Sequence, residues 1–257
     1  MSDREDSVVL FELSDSIARI TLNRPDKRNA LNDAVIDAVK NALRGADRDE
    51  NVRVVILSGA GADFCSGADL SALQKISNAS VRENLADARS LMELFALIRE
   101  VRVPVIAAVR GRALAGGCGL ALACDMVLAE SSARFGFPEV KLGFVPAMVM
   151  AILRRNVSEK KAFELIALGG EISAQEAASI GLINRAFEPT DFELQVQSLA
   201  ERLGKLSPSA LSLSKNLLYK TDGLSFTEAL ESGVDVNVIA RMSEDCKKGI
   251  ARFLQKE

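Results

Sequence analysis

The stretch Gly111-Arg112-Ala113-Leu114-Ala115-Gly116-Gly117-Cys118-Gly119-Leu120-Ala121-Leu122-Ala123-Cys124-Asp125 constrains this chain more than any other. It joins an apolar, strand-like segment, Pro104–Val109, to a helix-like one. Glycine and alanine leave the backbone N–H groups uncovered, so another group can approach them closely. Where such a run opens a helix, its first N–H groups have no intrahelical acceptor and form a site for negative charge. The run therefore offers main-chain donors rather than reactive side chains.

Composition removes most alternatives. The chain has 257 residues and no histidine. That excludes Ser-His-Asp and Cys-His catalysis and histidine-ligated metals. Any general acid or base is then Glu, Asp, Lys, Tyr or Cys, and the only tyrosine is Tyr219. Cys65, Cys118, Cys124 and Cys246 match no zinc spacing, and we read them as reduced, small apolar residues; no metal site is expected. A net charge of −3 gives no basic footprint for nucleic acid. No apolar run reaches the roughly 18 residues that a membrane helix needs. The polar start Met1-Ser2-Asp3-Arg4-Glu5-Asp6 does not read as a secretory signal, so a cytoplasmic protein without membrane partners is expected.

Periodicity gives an α/β organisation. Ser7–Leu13 and Ile17–Asn23 read as strands about a short turn, and Asp33 opens an amphipathic helix carrying Val35, Ile36, Val39 and Leu43 on one face. Val54–Ser58 is a buried strand and Phe64–Leu70 a loop, after which Ser80 caps a long helix to about Arg99. Pro104–Val109, Met126–Ala129 and Ala133–Phe135 are strands. After Pro146 the chain is mostly helical: Ser158 precedes a helix over Glu159–Leu168, and Ser173-x-x-Glu176 and Thr190-x-x-Glu193 have the capping-box pattern. Leu182–Ala186 reads as a short strand, and Pro208–Leu218, Thr227–Met242 and Asp245–Leu254 as closing helices. Strands alternating with helices predict sheets built from successive β-β-α units over residues 1–190, with a helical region over 191–257.

Three glycine-containing loops follow strands. Cys65-Ser66-Gly67-Ala68-Asp69-Leu70 and the small-residue run can each place a backbone N–H at a helix start. Two such donors aimed at one carbonyl oxygen make an oxyanion hole. The third loop, Phe135–Gly143, supplies a lone carboxylate, Glu139, directly after Pro138. Each has a plainer reading: tight helix–sheet packing for the small residues, and a solvated helix start for Glu139. Asp69 and Asp125 read as capping or turn residues. A dinucleotide fingerprint at Gly117-x-Gly119 is incomplete, because its third glycine position holds Leu122.

Together these residues resemble the enoyl-CoA hydratase/isomerase (crotonase) family. The matching pieces are Ile20-Thr21-Leu22-Asn23-Arg24-Pro25 with Lys27-Arg28-Asn29-Ala30-Leu31, then Phe64–Leu70, the run ending Ala123-Cys124-Asp125, Phe135–Gly143, Glu171–Asn184 and the tail Lys248–Leu254. They follow the family's order along nearly the whole chain. The resemblance implies a spiral of β-β-α repeats with a C-terminal helical region that serves oligomerisation and the CoA pocket. It also implies homo-trimers or dimers of trimers, and an acyl-CoA thioester as ligand, with coenzyme A as part of the substrate and no other cofactor.

Carried over by position, Ala68 and Gly116 would donate to the thioester oxygen. Glu139 matches the second of the family's two catalytic glutamates, and Gly119 stands where the first belongs. Lys27, Arg28, Ala30, Ser66, Asp69, Leu70 and Pro138 would line the substrate, the segment Lys27–Ala30 meeting the adenine and phosphates of CoA. The stretch after Pro146 is similar to bacterial methylglutaconyl-CoA hydratase-like members. With one carboxylate, the implied reaction is hydration of a 2-enoyl-CoA by Glu139 as single acid/base, between apolar walls at Leu70, Phe144 and Met148. The alternatives are 3-enoyl to 2-enoyl isomerisation and a non-catalytic acyl-CoA-binding relative.

Overall fold

The computed structural model describes residues 7–255, apart from the side chain of Leu70; the acidic start at residues 1–6 lies outside them. Strand β1 (Val9–Ser14) turns into β2 (Ile17–Leu22) through Asp15 and Ser16, both at positive φ. Two positive φ values at the centre of a two-residue loop match the right-handed twist of the flanking strands. Helix α1 (Asp33–Arg48) follows, with the Asn32 side chain accepting from Val35 N and the expected apolar face buried. Strand β3 (Val54–Gly59) lies parallel to β2. Helix α2 (Leu70–Asn78) occupies the segment that periodicity leaves unassigned. Helix α3 (Val81–Glu100) starts at the Ser80–Glu83 capping box.

The chain then lays down β4 (Val105–Val109), β5 (Arg112–Leu114), α4 (Gly116–Ala123), β6 (Met126–Glu130) and β7 (Arg134–Gly136). The remaining elements are α5 (Ala147–Asn156), α6 (Glu159–Leu168), β8 (Glu171–Ser173), α7 (Ala174–Ser179), β9 (Arg185–Phe187), α8 (Pro189–Gly204), α9 (Pro208–Lys220), α10 (Phe226–Met242) and α11 (Glu244–Leu254). The large sheet runs β1-β2-β3-β4-β6-β9, parallel except for β1, and a small sheet runs β5-β7-β8. Single bridges Leu31 to Ala68 and Cys65 to Ala113 continue the small ladder into earlier loops. Each circuit of the chain thus adds a strand to the large sheet, a short extended piece to the small one, and a helix. This is the expected β-β-α spiral.

Side chains alternate across β3 as a pleated strand requires. Val55 and Leu57 face the main core with α1, α3 and α4, while Val54 and Ile56 face α8 through Phe192, Val196 and Ala200. Helix α8 therefore covers the outer face of the sheet and crosses the expected boundary at residue 190. Two expectations shift locally. Thr190 is not the cap of α8: the helix begins at Pro189 after Glu188, because proline's fixed φ suits the first helical position. The strand expected over Leu182–Ala186 is Arg185–Phe187; just ahead of it Asn184 joins Val127 by its backbone N–H at 3.0 Å and takes the Val127 N–H on its side chain at 2.7 Å.

Helix α9 is fastened to the spiral by a buried ionic clasp. Lys215 Nζ meets Asp125 Oδ2 at 2.8 Å and donates to the carbonyls of Ile98 and Val103. Tyr219 donates to Asp125 Oδ1 at 2.8 Å, and Val105 N to Oδ2 at 2.7 Å. Burial pulls the Lys215 pKa down, and the Asp125 carboxylate resists that fall. Asp125 is thus an ionic anchor rather than a simple turn residue. Beyond α9, a stripe of α10 at four-residue spacing, Phe226, Leu230, Val234, Val238 and Met242, stands exposed, as do Ile250, Phe253 and Leu254 of α11.

Candidate active site

Four loops converge at one end of α4, and each is fixed by backbone bonds. In the first, Asn29 is a buried hub: its Oδ1 accepts from Arg24 N, and its Nδ2 donates to the carbonyls of Ala60 and Asp63. Arg28 and Asn29 both take the left-handed conformation, φ 49° and 53°. The turn leaves Lys27 and Arg28 exposed and Ala30 buried. Two cationic side chains are so presented to solvent beside the loop that carries Ala68.

The second loop is stitched to the first. Ser66 N donates to Arg28 O at 3.0 Å, Leu31 N to Gly67 O at 2.7 Å, and Asp69 N to Leu31 O at 2.9 Å. In such a parallel bridge the residue between the two bonds turns its own N–H to the other side. Ala68 is that residue; it is exposed, and among the described residues its N–H meets no acceptor. Gly67 has φ +94°, which only glycine adopts freely, and a Cβ there would lie 2.9 Å from Ala115 Cβ and 3.7 Å from Gly116 N. The Ala68 loop therefore abuts the start of α4.

The third element is that start. Leu114 N donates to Cys65 O and Ala115 N to Gly136 O, so β5 is held on both sides. Ala115 has φ 50° and ψ −127°, a strained conformation for a residue with a Cβ, costing about 1–3 kcal/mol. Its ψ sets the plane of the next peptide and so aims the Gly116 N–H. Gly116 is the first residue of α4, half-buried, with no acceptor for its N–H among the described residues.

The fourth element carries the carboxylate. After β7 the short 3-10 turn Pro138–Leu142 begins with half-buried Pro138 and buries Glu139, which is 8 % exposed. Its Oε2 has no hydrogen-bond partner among the described residues. Burial lifts its pKa above the ordinary 4.5, against a weaker opposing bond from its own backbone N–H. Glu139 lies close enough to α4 for its charge to add to the burial that pushes the Cys118 thiol up. The plainer reading of Glu139 as a solvated helix start is thus corrected: the turn packs it inward. Cys65 is fully buried, with its pKa pushed up to about 12. Such a thiol is no nucleophile.

Asp69 is placed differently from a free ligand group. Its Oδ1 caps α2 through Ser71 N and Oγ, both at 2.9 Å, and its Oδ2 pairs with Arg24 at 2.7 Å. Ser66 is half-buried in the same loop, and Leu70 opens α2 with its side chain outside the described residues. Of the expected apolar walls, Met148 packs against the core but Phe144 is 50 % exposed. The side chains that do pack against the inner turn of α4 are Phe95 of α3 and Val149 of α5, with Leu91 near Gly116. No local pattern marked them, because they come from two distant helices.

Two backbone N–H groups without acceptors among the described residues, those of Ala68 and Gly116, thus lie on adjoining segments at the start of α4, and the turn after β7 buries one desolvated carboxyl. The sequence profile of the enoyl-CoA hydratase/isomerase family matches residues 12–257. A Thermus thermophilus relative is 39% identical over 240 residues, covering 93% of this chain and 95% of its own. The 2,3-dehydroadipyl-CoA hydratase of Escherichia coli is 34% identical over 252 residues, 97% of this chain and 96% of its own. The crystal structure of an enoyl-CoA hydratase from Mycobacterium smegmatis superposes with a TM-score of 0.93 at 28% identity, covering 97% of both chains.

Proposed function

We propose that this chain, which belongs to the enoyl-CoA hydratase/isomerase family, hydrates a 2-enoyl-CoA with Glu139 as its single acid/base. The observation that carries the reading is the buried Glu139 carboxyl with its unpartnered Oε2 and raised pKa. The N–H groups of Ala68 and Gly116 hold the thioester oxygen. Negative charge gathers there as water adds, and each donor contributes about 3 kcal/mol to the transition state. The Glu139 carboxylate takes a proton from water as the water oxygen bonds to the β-carbon. The resulting carboxylic acid returns that proton to the α-carbon of the enolate, giving a 3-hydroxyacyl-CoA. Desolvation raises the proton affinity of the carboxyl, which suits a group that first accepts a proton and then returns it.

Lys27 and Arg28 meet the CoA phosphates, Ala30, Ser66 and Pro138 border the substrate, and Asp69 holds the loop that carries Ala68. CoA enters as part of the substrate, and no separate cofactor takes part. The exposed stripe of α10 and the apolar residues of α11 suit burial between copies, supporting a homo-trimer or a dimer of trimers. Among the described residues no helix is long and apolar enough to cross a membrane, and the proposed setting is the cytoplasm.

A second reading is favoured by the closed apolar space over Gly119. Moving a double bond from the 3- to the 2-position needs one base and no water. Incubation with crotonyl-CoA and with a 3-enoyl-CoA, followed by chromatography with mass and ultraviolet detection, separates the two. Addition of the mass of water to crotonyl-CoA supports hydration. An isomer of unchanged mass from the 3-enoyl-CoA alone replaces it with isomerisation. Tight binding without either product overturns both.

A further inference from the structure

We infer that Phe95 and Val149 determine which acyl groups the site accepts; the inference rests on the acyl-CoA reading above. Gly116 and Gly119 stand three residues apart on α4 and so share one face. At Gly116 that face has room: a Cβ there would meet Leu31 Cδ1 at 3.6 Å and Leu91 Cδ2 at 3.9 Å, ordinary contact distances. At Gly119 a Cβ would lie 2.6 Å from Val149 Cγ2, closer than carbon atoms pack, and a tight 3.1 Å from Phe95 Cζ. Leu91 and Phe95 are themselves one turn apart on α3. One stripe of α3 thus runs along one stripe of α4, with room for a methyl group at Gly116 and none one turn further in.

Phe95 and Val149 are 5 % and 2 % exposed, so the closed end is packed carbon. An acyl chain whose thioester oxygen rests on the Gly116 N–H runs along this stripe toward the wall. The wall offers hydrocarbon to hydrocarbon. It leaves no volume at position 119 for a second carboxylate or for a water held by one. The substrate class is therefore a 2-enoyl-CoA with an apolar acyl tail, its length limited by these two side chains.

The test is a pair of cavity-opening variants, Val149→Ala and the more conservative Phe95→Leu. Saturated acyl-CoAs of increasing length, which cannot be hydrated, are titrated by calorimetry, and the matching 2-enoyl-CoAs are assayed for kcat/KM. Each methylene in an apolar pocket discriminates by about tenfold or more, so the long-to-short affinity ratio should rise about tenfold in at least one variant. Affinity for free CoA should stay as in the parent. Gly119→Ala should lower Tm, and the drop it causes should be smaller in a Val149→Ala background than in the parent. A chain-length ratio unmoved within about twofold in both variants overturns the inference. A shifted binding ratio without turnover of any enoyl-CoA leaves the wall standing and removes the hydration reading. Turnover with an unmoved chain preference removes the wall alone.

Discussion

Asp69 and Glu139 are equally hidden from solvent, each 8 % exposed, yet the protein treats them in opposite ways. Asp69 receives the Ser71 N–H first, then Arg24, and these hold its pKa below the ordinary 3.8. It is an ion-paired structural joint between α2 and the Arg24 loop. Glu139 receives far less: its Oε2, unlike the Oδ2 of Asp69 beside Arg24, has neither a hydrogen-bond nor an ion-pair partner among the described residues, and burial lifts the pKa. Burial alone therefore says nothing about what a carboxyl does. A satisfied carboxylate is used up by the fold, whereas an unsatisfied one retains a lone pair and a labile proton for a ligand.

The sharpest way to break the contrast is at Glu139. Glu139→Gln keeps the shape but cannot move a proton, and turnover should fall by about 10²–10⁴-fold while acyl-CoA affinity changes little. Retained turnover in that variant would remove Glu139 from the mechanism. Next in size is Asp69→Ala, which deletes a helix cap and leaves Arg24 unpaired; chemical denaturation should show a loss of about 2 kcal/mol. The matching stability loss should be absent in Glu139→Gln. If both variants lose stability alike, the distinction between joint and catalyst collapses.

The smallest expected effect is in the pH dependence of stability, and its sign differs between the two carboxyls. A raised folded pKa means that Glu139 favours the folded state when protonated. Its contribution is full below the ordinary 4.5 and is lost as pH rises through the folded value. Asp69 contributes when ionised: fully above the ordinary 3.8, and less as pH falls through its lowered value. Relative to the parent, Glu139→Gln should gain Tm on going from pH 4 toward neutrality, by about one to a few degrees. Asp69→Ala should instead lose most of its deficit in strong acid. Parallel curves for the parent and both variants would show that neither pKa is shifted as described.

Local chemistry made much of the fold legible. Ser80 with Glu83, and Ser158 before Glu159, announce their helices within four residues, and both starts agree with the structure. Helix α2 was hidden because its cap, Asp69, lies inside a loop that the family resemblance reads for substrate contact. Strand β5 was hidden because three residues carry no period of their own; Cys65 and β7 hold it from either side. At the candidate site, the small-residue run and Glu139 were visible in sequence, whereas the inward turn of Glu139 was not. Phe95 and Val149 could not be read at all, since only the packing of α3 and α5 on α4 brings them to Gly119. Short-range rules see caps and turns; they do not see which side chains fill the space over a glycine.

The clasp between Asp125 and Lys215 has a consequence for the order of events during folding. Its two halves are separated by most of the second half of the chain, so during synthesis the spiral is complete before Lys215 emerges. Until then the carboxylate end of α4 waits as a socket without its plug. A carboxylate buried without a counter-charge costs several kcal/mol, so it stays wet and the neighbouring helix ends stay loose until α9 arrives. Docking of α9 then dehydrates both charges in one step. The helix whose first N–H is left without an acceptor among the described residues thus has its far end locked only by one of the last segments to be made.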